Sequence, residues 1–376
     1  MTRLARIAAA LLALAPPALA QQPQRFTSEK ANFTVETVAR GLEHPWGLAF
    51  LPDGRMIVTE RAGRVRIVAR DGTLSNAVTG APRVDARGQG GLLDVALDPK
   101  FQENRFVYFS FAEPRDGGKN NTALARAKLS EKGDGLEGLT TIWRQEPSIA
   151  STAHFGSRIV FARDGSIFLT VGERYSQRDE AQNPANTLGK IIHLTSDGQP
   201  GPGNPGAAKS WNPFIWSIGH RNVQGAALHP VTGQLWTAEH GARGGDEINH
   251  PEAGRNYGWP VITYGVDYSG AKIGVGTHKE GMEQPVFYWD PSIAPSGMIF
   301  YTGDAFLNWK SSAFVGALAG QLLSRLEFDG DRIVHEERLL RGFGERIRDV
   351  RQGPDGLIYL LTDSPQGRVL RLKPTD

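Results

Sequence analysis

A unit made of an apolar strand, a tight turn and a second strand recurs six times along this chain, and a fold must accommodate that repetition before anything else. The first copy places residues 47–50 and 56–59 on either side of Pro52-Asp53-Gly54. The second joins 92–97 to 106–109 after a turn at Asp98-Pro99, and the third joins 158–161 to 167–170 across Asp164-Gly165. Asp-Gly between two apolar runs is a strong hairpin signal, because the turn needs residues that tolerate positive φ. The fourth copy turns at His229-Pro230 and Gly233, and the fifth pairs 298–301 with 322–326 after a longer excursion. The sixth pairs 347–350 with 357–361 across Pro354-Asp355-Gly356.

Copies lie roughly 45–70 residues apart, enough for one four-stranded sheet and its loops. No long segment has a 3.6-residue apolar period, so helices should be few. The 45 glycines and 23 prolines then belong to turns rather than disorder, because the same segments carry regular apolar strands and most of the 8 tryptophans. A single core stops growing near roughly 250–300 residues, but a closed repeat array escapes that limit. The pattern predicts an all-β chain, a six-bladed β-propeller of four-stranded antiparallel blades forming one domain over residues 21–376. To close the ring, the alternating segment 33–38 is expected to pair with 369–372 of the last blade.

Residues 1–20 read as a secretory signal peptide, with Arg3 and Arg6 ahead of an apolar run at 7–15 and Ala18-Leu19-Ala20 before the cut. That run is shorter than the roughly 20 residues a bilayer span requires, and nothing comparable follows. A periplasmic or secreted protein without a membrane anchor is expected. Cleavage near Ala20 removes two of the 42 basic residues and none of the 40 acidic ones, which leaves the charges balanced. No basic field for nucleic acid remains. With 0 cysteines, neither disulfides nor thiolate chemistry operate, and no C-x-x-C-H haem motif exists.

In a propeller, loops at one end of the channel converge, so residues distant in sequence can share a site. Four clusters there carry chemistry. Arg87-Gly88-Gln89-Gly90-Gly91 is either a plain glycine turn or a loop that lets backbone approach a ligand, with Gln89 as donor and acceptor. His154 precedes one strand of the third hairpin and Glu173 follows the other, so both belong at one rim. A carboxylate beside an imidazole fixes its tautomer, which suits a general base and equally a capped structural histidine.

The third cluster contains Gly219-His220-Arg221-Asn222, the loop from Glu239 through Gly241, Ala242, Asp246 and Glu247, and Asn256-Tyr257-Gly258-Trp259-Pro260. Its oxygen donors favour calcium over zinc without EF-hand spacing, and a solvated acidic turn is the alternative. His220, His229, His240 and His250 lack zinc-ligand spacing. In the fourth cluster, Arg346 and Arg348 would share one face of a strand and present two guanidinium forks to a ligand with several carboxylates. An ordinary surface pair matched with nearby acids is the alternative. No nucleophile elbow, Walker loop, zincin motif or Rossmann fingerprint occurs.

These clusters, in this order, resemble the soluble pyrroloquinoline quinone (PQQ)-dependent aldose sugar and glucose dehydrogenases. The resemblance covers nearly the whole mature chain and is carried by HFGSRIVF from 154, GHRNVQG from 219, GGDEIN from 244, NYGWP from 256 and RIRDVRQGPDG from 346. It implies a quinoprotein that oxidises aldoses at C1 to the lactone and passes electrons to an external acceptor. His154 takes the place of the general base and Glu173 of its acidic partner. Gln89, Arg221, Asn222, Arg346 and Arg348 match PQQ-binding positions.

The main-chain oxygens of Gly241 and Ala242 match the calcium that polarises the quinone, while Glu247 and Tyr257, with Asp246 adjacent, match a second calcium. Tyr288 and Trp289 are candidates for stacking on the sugar, and core packing is the alternative for both. The chain departs from some relatives at Ala319, where they have a lysine near the quinone. It also differs at Ala242, where they have proline, and at Ala153, where glucose-specialised relatives have aspartate. The assembly is expected to be a monomer or homodimer. A calcium-dependent lactonase and a noncatalytic sugar-binding propeller are the alternative functions.

Overall fold

A computed structural model describes residues 23–375. Residues 1–20, read from the sequence as a signal peptide, lie outside them. Six antiparallel sheets follow one another around a ring. Blade 1 comprises Pro45–Phe50, Met56–Glu60, Arg64–Val68 and Leu74–Ala77. Blade 2 comprises Leu92–Leu97, Phe106–Pro114, Asn120–Leu129 and Leu136–Arg144. Blade 3 is built from Ile159–Phe161, Ile167–Val171, Lys190–Leu194 and Ile215–Ile218, and blade 4 from Val223–Leu228, Leu235–Glu239, Asp246–Asn249 and Phe287–Trp289. Blade 5 contains Pro295–Phe300, Ala313–Ala317, Leu323–Asp329 and Arg332–Leu339.

Blade 6 closes the ring with strands from both ends of the chain. Ile347–Gln352, Ile358–Thr362 and Gly367–Pro374 are joined by Phe33–Leu42, and Gln24–Phe26 adds a fifth strand outside it. The anticipated pairing of 33–38 with 369–372 is present, with Val35 opposite Leu372 and Thr37 opposite Leu370. Closure in this way hydrogen-bonds the two ends of the chain within one blade and ties the ring shut.

The fifth repeat differs from its sequence reading. Its second strand is Ala313–Ala317, which pairs with Pro295–Phe300, and the 322–326 segment falls largely in the third strand. Only Phe314 and Val315 carry a strong strand signal in it, and the small Ala313, Gly316 and Ala317 conceal its extent. Gly316 has to be small, since a Cβ there would lie 2.6 Å from Ser296 Oγ and 2.8 Å from Ile347 Cγ2.

Adjacent blades pack through apolar faces, with clusters centred on Leu92, Phe109 and Val65 between blades 1 and 2, and on Trp236, Met298 and Val315 between blades 4 and 5. Each such buried side chain contributes about 1.5–3 kcal/mol relative to exposure. Hydroxyl bridges repeat around the ring. Ser110 Oγ donates to Ser157 O at 2.6 Å, Thr170 Oγ1 to Val223 O at 2.9 Å and Ser296 Oγ to Ile347 O at 2.6 Å.

Innermost strands approach so closely that glycine is needed in two of them. A Cβ on Gly47 would meet Asp94 Oδ1 at 2.8 Å, and one on Gly297 would meet the Asp349 carboxylate closer still. Those two aspartates bind a buried charge network across the ring. Arg158 Nη1 lies 2.9 Å from Asp94 and 3.0 Å from Asp349, and Arg351 bridges the same pair at 2.8 and 2.9 Å. Blades 2, 3 and 6 are thereby locked in register beneath the loops that carry the candidate site.

Candidate active site

The first hairpin of blade 3 brings His154 and Glu173 to one rim, as its antiparallel strands require. His154 Nδ1 lies 3.0 Å from Glu173 Oε2, and both side chains are buried. The backbone around them is crowded, because a Cβ on Gly172 would collide with the His154 carbonyl. Three further sequence candidates brace the pair. His154 N donates to Gln89 Oε1 at 2.8 Å, Gly156 N donates to Asn222 Oδ1 at 3.1 Å, and Glu173 N donates to Arg221 O at 3.0 Å.

Burial pushes the His154 imidazole below its ordinary value. Glu173 opposes the shift, while Arg221 and Arg174 reinforce it. The ring is therefore neutral near pH 7. Its Nδ1–H faces the carboxylate, which leaves the Nε2 lone pair available to a ligand. Tyr175 packs edge-on against the imidazole, with centroids 5.2 Å apart, and Tyr175 N donates to Glu173 Oε2.

A cationic wall faces this pair. Arg221 lies over the Trp259 ring at 5.1 Å and donates from Nη1 to His240 O at 3.3 Å. Arg346 and Arg348 converge on Asp363, at 3.0 and 3.3 Å. Arg348 is buried and also donates to Gln224 Oε1 at 2.7 Å. Burial pushes the Arg348 guanidinium down to about 10, and Arg346, Arg61 and Arg158 push the same way against Asp363. The Nε atoms of Arg221 and Arg348 and the Nε2 of His240 are buried without a hydrogen-bond partner. The two guanidinium Nε–H groups are donors left for water or a bound group to complete. A planar anion with several carboxylates, such as PQQ, fits that donor set.

The loop after blade 4's second strand is rich in oxygen. A Cβ on Gly241 would run into the carbonyl oxygens of Gly244 and Gly245. Gly241 and Ala242 thus lie in a cradle suited to a hard cation. Glu247 stands opposite Glu239 in the strand register. Burial and the Glu239 charge push its carboxyl up to about 8, as expected where two carboxylates share a site without a cation.

Tyr257 stacks on His220 with centroids 5.0 Å apart. Its hydroxyl donates to His250 O and accepts from Glu252 N at 2.9 Å, so only its main-chain oxygen is left to offer. Asp246 serves differently from its sequence reading. Its carboxylate accepts from Gly241 N, Ser292 Oγ, Ile293 N and Ala294 N at 2.6–2.9 Å, which makes it a brace for the loop rather than an open ligand.

Two neighbouring cavities open above these residues. One of about 350 Å³ is walled by Glu173, Tyr175, Arg178, Arg221, Trp259 and Tyr268. The other, of about 680 Å³, is walled by His240, Gly241, Ala242, Tyr264, Asp290 and Ala319. Ala319 therefore borders the second cavity. Tyr288 is exposed and stacks on Tyr264 at 4.0 Å. Trp289 is buried in the core between blades 4 and 5, with Nε1 donating to Glu336 at 2.8 Å. Alternation along their strand sends the two rings to opposite faces, so Trp289 is a core residue and only Tyr288 faces outward.

A model of the glucose/sorbosone dehydrogenase family matches residues 42–371, nearly the whole described chain. The chain belongs to that family. Its match to the aldose sugar dehydrogenase YliI of Escherichia coli is 44% identical over 348 residues, 92% of this chain and 94% of that protein. The solved apo form of the soluble E. coli aldose sugar dehydrogenase superposes with a TM-score of 0.89 at 44% identity, covering 91% of this chain and all of that one. The PQQ-bound aldose sugar dehydrogenase of Streptomyces coelicolor superposes with a TM-score of 0.76 at 30% identity, covering 92% and 99%.

Several supporting contacts of this dehydrogenase-family site were not read from the sequence. Arg174 donates to Ala153 O and Ser151 O at 3.1 and 2.7 Å and lies over Phe155 at 3.9 Å. His220 pairs with Glu239 at 3.0 Å, as His154 pairs with Glu173. The second pair had a signal in the sequence, because both are 19 residues apart. Arg174 had none, since its partners come from two loops that only the fold brings together.

Proposed function

We propose that this chain is a PQQ-dependent dehydrogenase that oxidises the C1 hydroxyl of aldoses to the lactone and passes electrons to an external acceptor. The observation that carries this reading is a buried, neutral His154 held by Glu173 beside arginines whose buried Nε atoms lack partners. Family membership and the likeness to a PQQ-bound aldose sugar dehydrogenase support it.

When bound, PQQ supplies an electron-poor quinone that takes up hydride. Gln89, Arg221, Asn222, Arg346 and Arg348 would hold it, with the guanidinium groups offsetting its carboxylates. Calcium on the main-chain oxygens of Gly241 and Ala242 would act as a Lewis acid toward the quinone carbonyl. A second, structural calcium would sit at Glu247 and the main chain of Tyr257. His154 Nε2 accepts the proton of the C1 hydroxyl as hydride leaves C1. Glu173 stabilises the imidazolium that results and keeps the ring oriented. Tyr288 offers an exposed ring at the rim for the sugar face.

With cleavage near Ala20 the enzyme would act in the periplasm or outside the cell, as a monomer or homodimer. Among the described residues no helix is long and apolar enough to cross a membrane.

The test is reconstitution of the purified apo-protein with PQQ and calcium, followed by dye reduction over a panel of mono- and disaccharides. Turnover is expected with several aldoses. Complete inactivity across the panel overturns the reading. Lactone hydrolysis by the calcium-loaded protein would indicate the hydrolase instead, and a PQQ-dependent spectrum without turnover would indicate a binding propeller.

A further inference from the structure

Glu60 ends the second strand of blade 1, and Arg61 follows it, just as Arg174 follows Glu173 at the corresponding place in blade 3. The two arginines are used in different ways. Arg174 commits its guanidinium to Asn120, Ser151 and Ala153 and to the face of Phe155. Arg61 has a fixed backbone, with its N–H donating to His44 O and its carbonyl accepting from Leu92 N, both at 3.1 Å. Its side chain is not fixed in this way. Nε is buried without a partner, and the guanidinium makes no hydrogen bond or ion pair among the described residues.

The location of Arg61 gives that omission meaning. His44, on which its backbone rests, holds Asp363 through Nδ1 at 2.9 Å, and Asp363 is the carboxylate shared by Arg346 and Arg348. Arg61 is close enough for its charge to act on Arg348. Two arginines therefore share one carboxylate, with Arg61 near one of them, and the Nε atoms of both Arg61 and Arg348 are orphaned. A buried unpartnered donor costs about 1–3 kcal/mol, so Arg61 Nε stands to gain from a partner.

We infer that Arg61 is a further binding residue for the polycarboxylate cofactor, donating to a carboxylate group alongside Arg346 and Arg348. This rests on the PQQ reading above.

A structural arginine and a ligand-binding arginine make opposite predictions for the apo-protein, and this gives the test. Wild type, Arg61→Met and Arg61→Lys are titrated with PQQ in the presence of calcium by isothermal calorimetry, and the melting temperature of each apo-protein is recorded. In Arg61→Met the PQQ dissociation constant should rise about ten- to a hundredfold, the range for losing one hydrogen bond to a charged group. Its apo melting temperature should hold or rise, since an unpaired cation has been removed from beside two others. Arg61→Lys should recover part of the affinity. Wild-type affinity in Arg61→Met overturns the inference, and so does a fall in its apo melting temperature, which would mark a structural role. Failure of the wild type to bind PQQ sinks the cofactor reading itself and this inference with it.

Discussion

Blades 3 and 4 each carry a histidine before their first strand and a glutamate at the end of the second, and the two pairs have diverged in use. His154–Glu173 and His220–Glu239 share a spacing of 19 residues and a 3.0 Å contact from Nδ1 to Oε2. They differ at the other nitrogen. In His220, Nε2 bonds Ser217 Oγ at 2.8 Å, and Tyr257 covers the ring face. His154 has Tyr175 only at its edge, and its partner Glu173 lines a cavity. The same dyad is thus a structural clamp where both nitrogens are satisfied and a candidate base where one is free.

The sharpest way to break this comparison is to replace each histidine. His154→Ala should lower kcat of the reconstituted enzyme by about 10²–10⁴-fold, the range for losing a general base. PQQ affinity should stay near wild type by calorimetry, and near-normal turnover would remove His154 from the mechanism. His220→Ala should instead destabilise the fold by about 3–5 kcal/mol, because Glu239 would keep a buried charge with its partner gone. Urea unfolding would read that loss. If His220→Ala instead kept wild-type stability and lost turnover, the assigned roles would have to be exchanged.

Smaller effects should follow at the carboxylates. Glu173→Gln keeps the shape and removes the charge that stabilises imidazolium, so kcat should fall about tenfold or more while the fold persists. Circular dichroism alongside kinetics separates the two. The smallest expected effect lies in pH dependence. Since His154 is held below the ordinary imidazole value by burial, the acidic limb of kcat/KM should lie below about pH 6.5. The same depression means that stability from neutral His154 is full above the unfolded value and declines as pH falls below it. An acidic limb above pH 7 would contradict a buried neutral base.

The repeat was legible because strand alternation and Asp-Gly turns are local signals, and they located five of the six inner hairpins. The fifth lost its second strand because Ala313, Gly316 and Ala317 carry little apolar signal, although Gly316 is small for a steric reason. At the site, the sequence marked His154, Glu173, Gln89, Arg221, Asn222, Arg346 and Arg348, and the fold gathers them at one end of the ring. It did not reveal that Asp246 spends its carboxylate on four internal donors or that Trp289 belongs to the core. The first depends on the loop that follows blade 4 and the second on packing against blade 5.

The sequence by itself determined the number of blades, the class of fold and the residue types available for chemistry, because each is written in local pattern. Only the tertiary structure decided which histidine of two equally spaced pairs keeps a free nitrogen and which arginine keeps an unpaired donor. The physical reason is that hydrogen-bond satisfaction is settled between blades. Ser217 and Tyr257 close one dyad, while the loops above blade 3 leave a cavity beside the other.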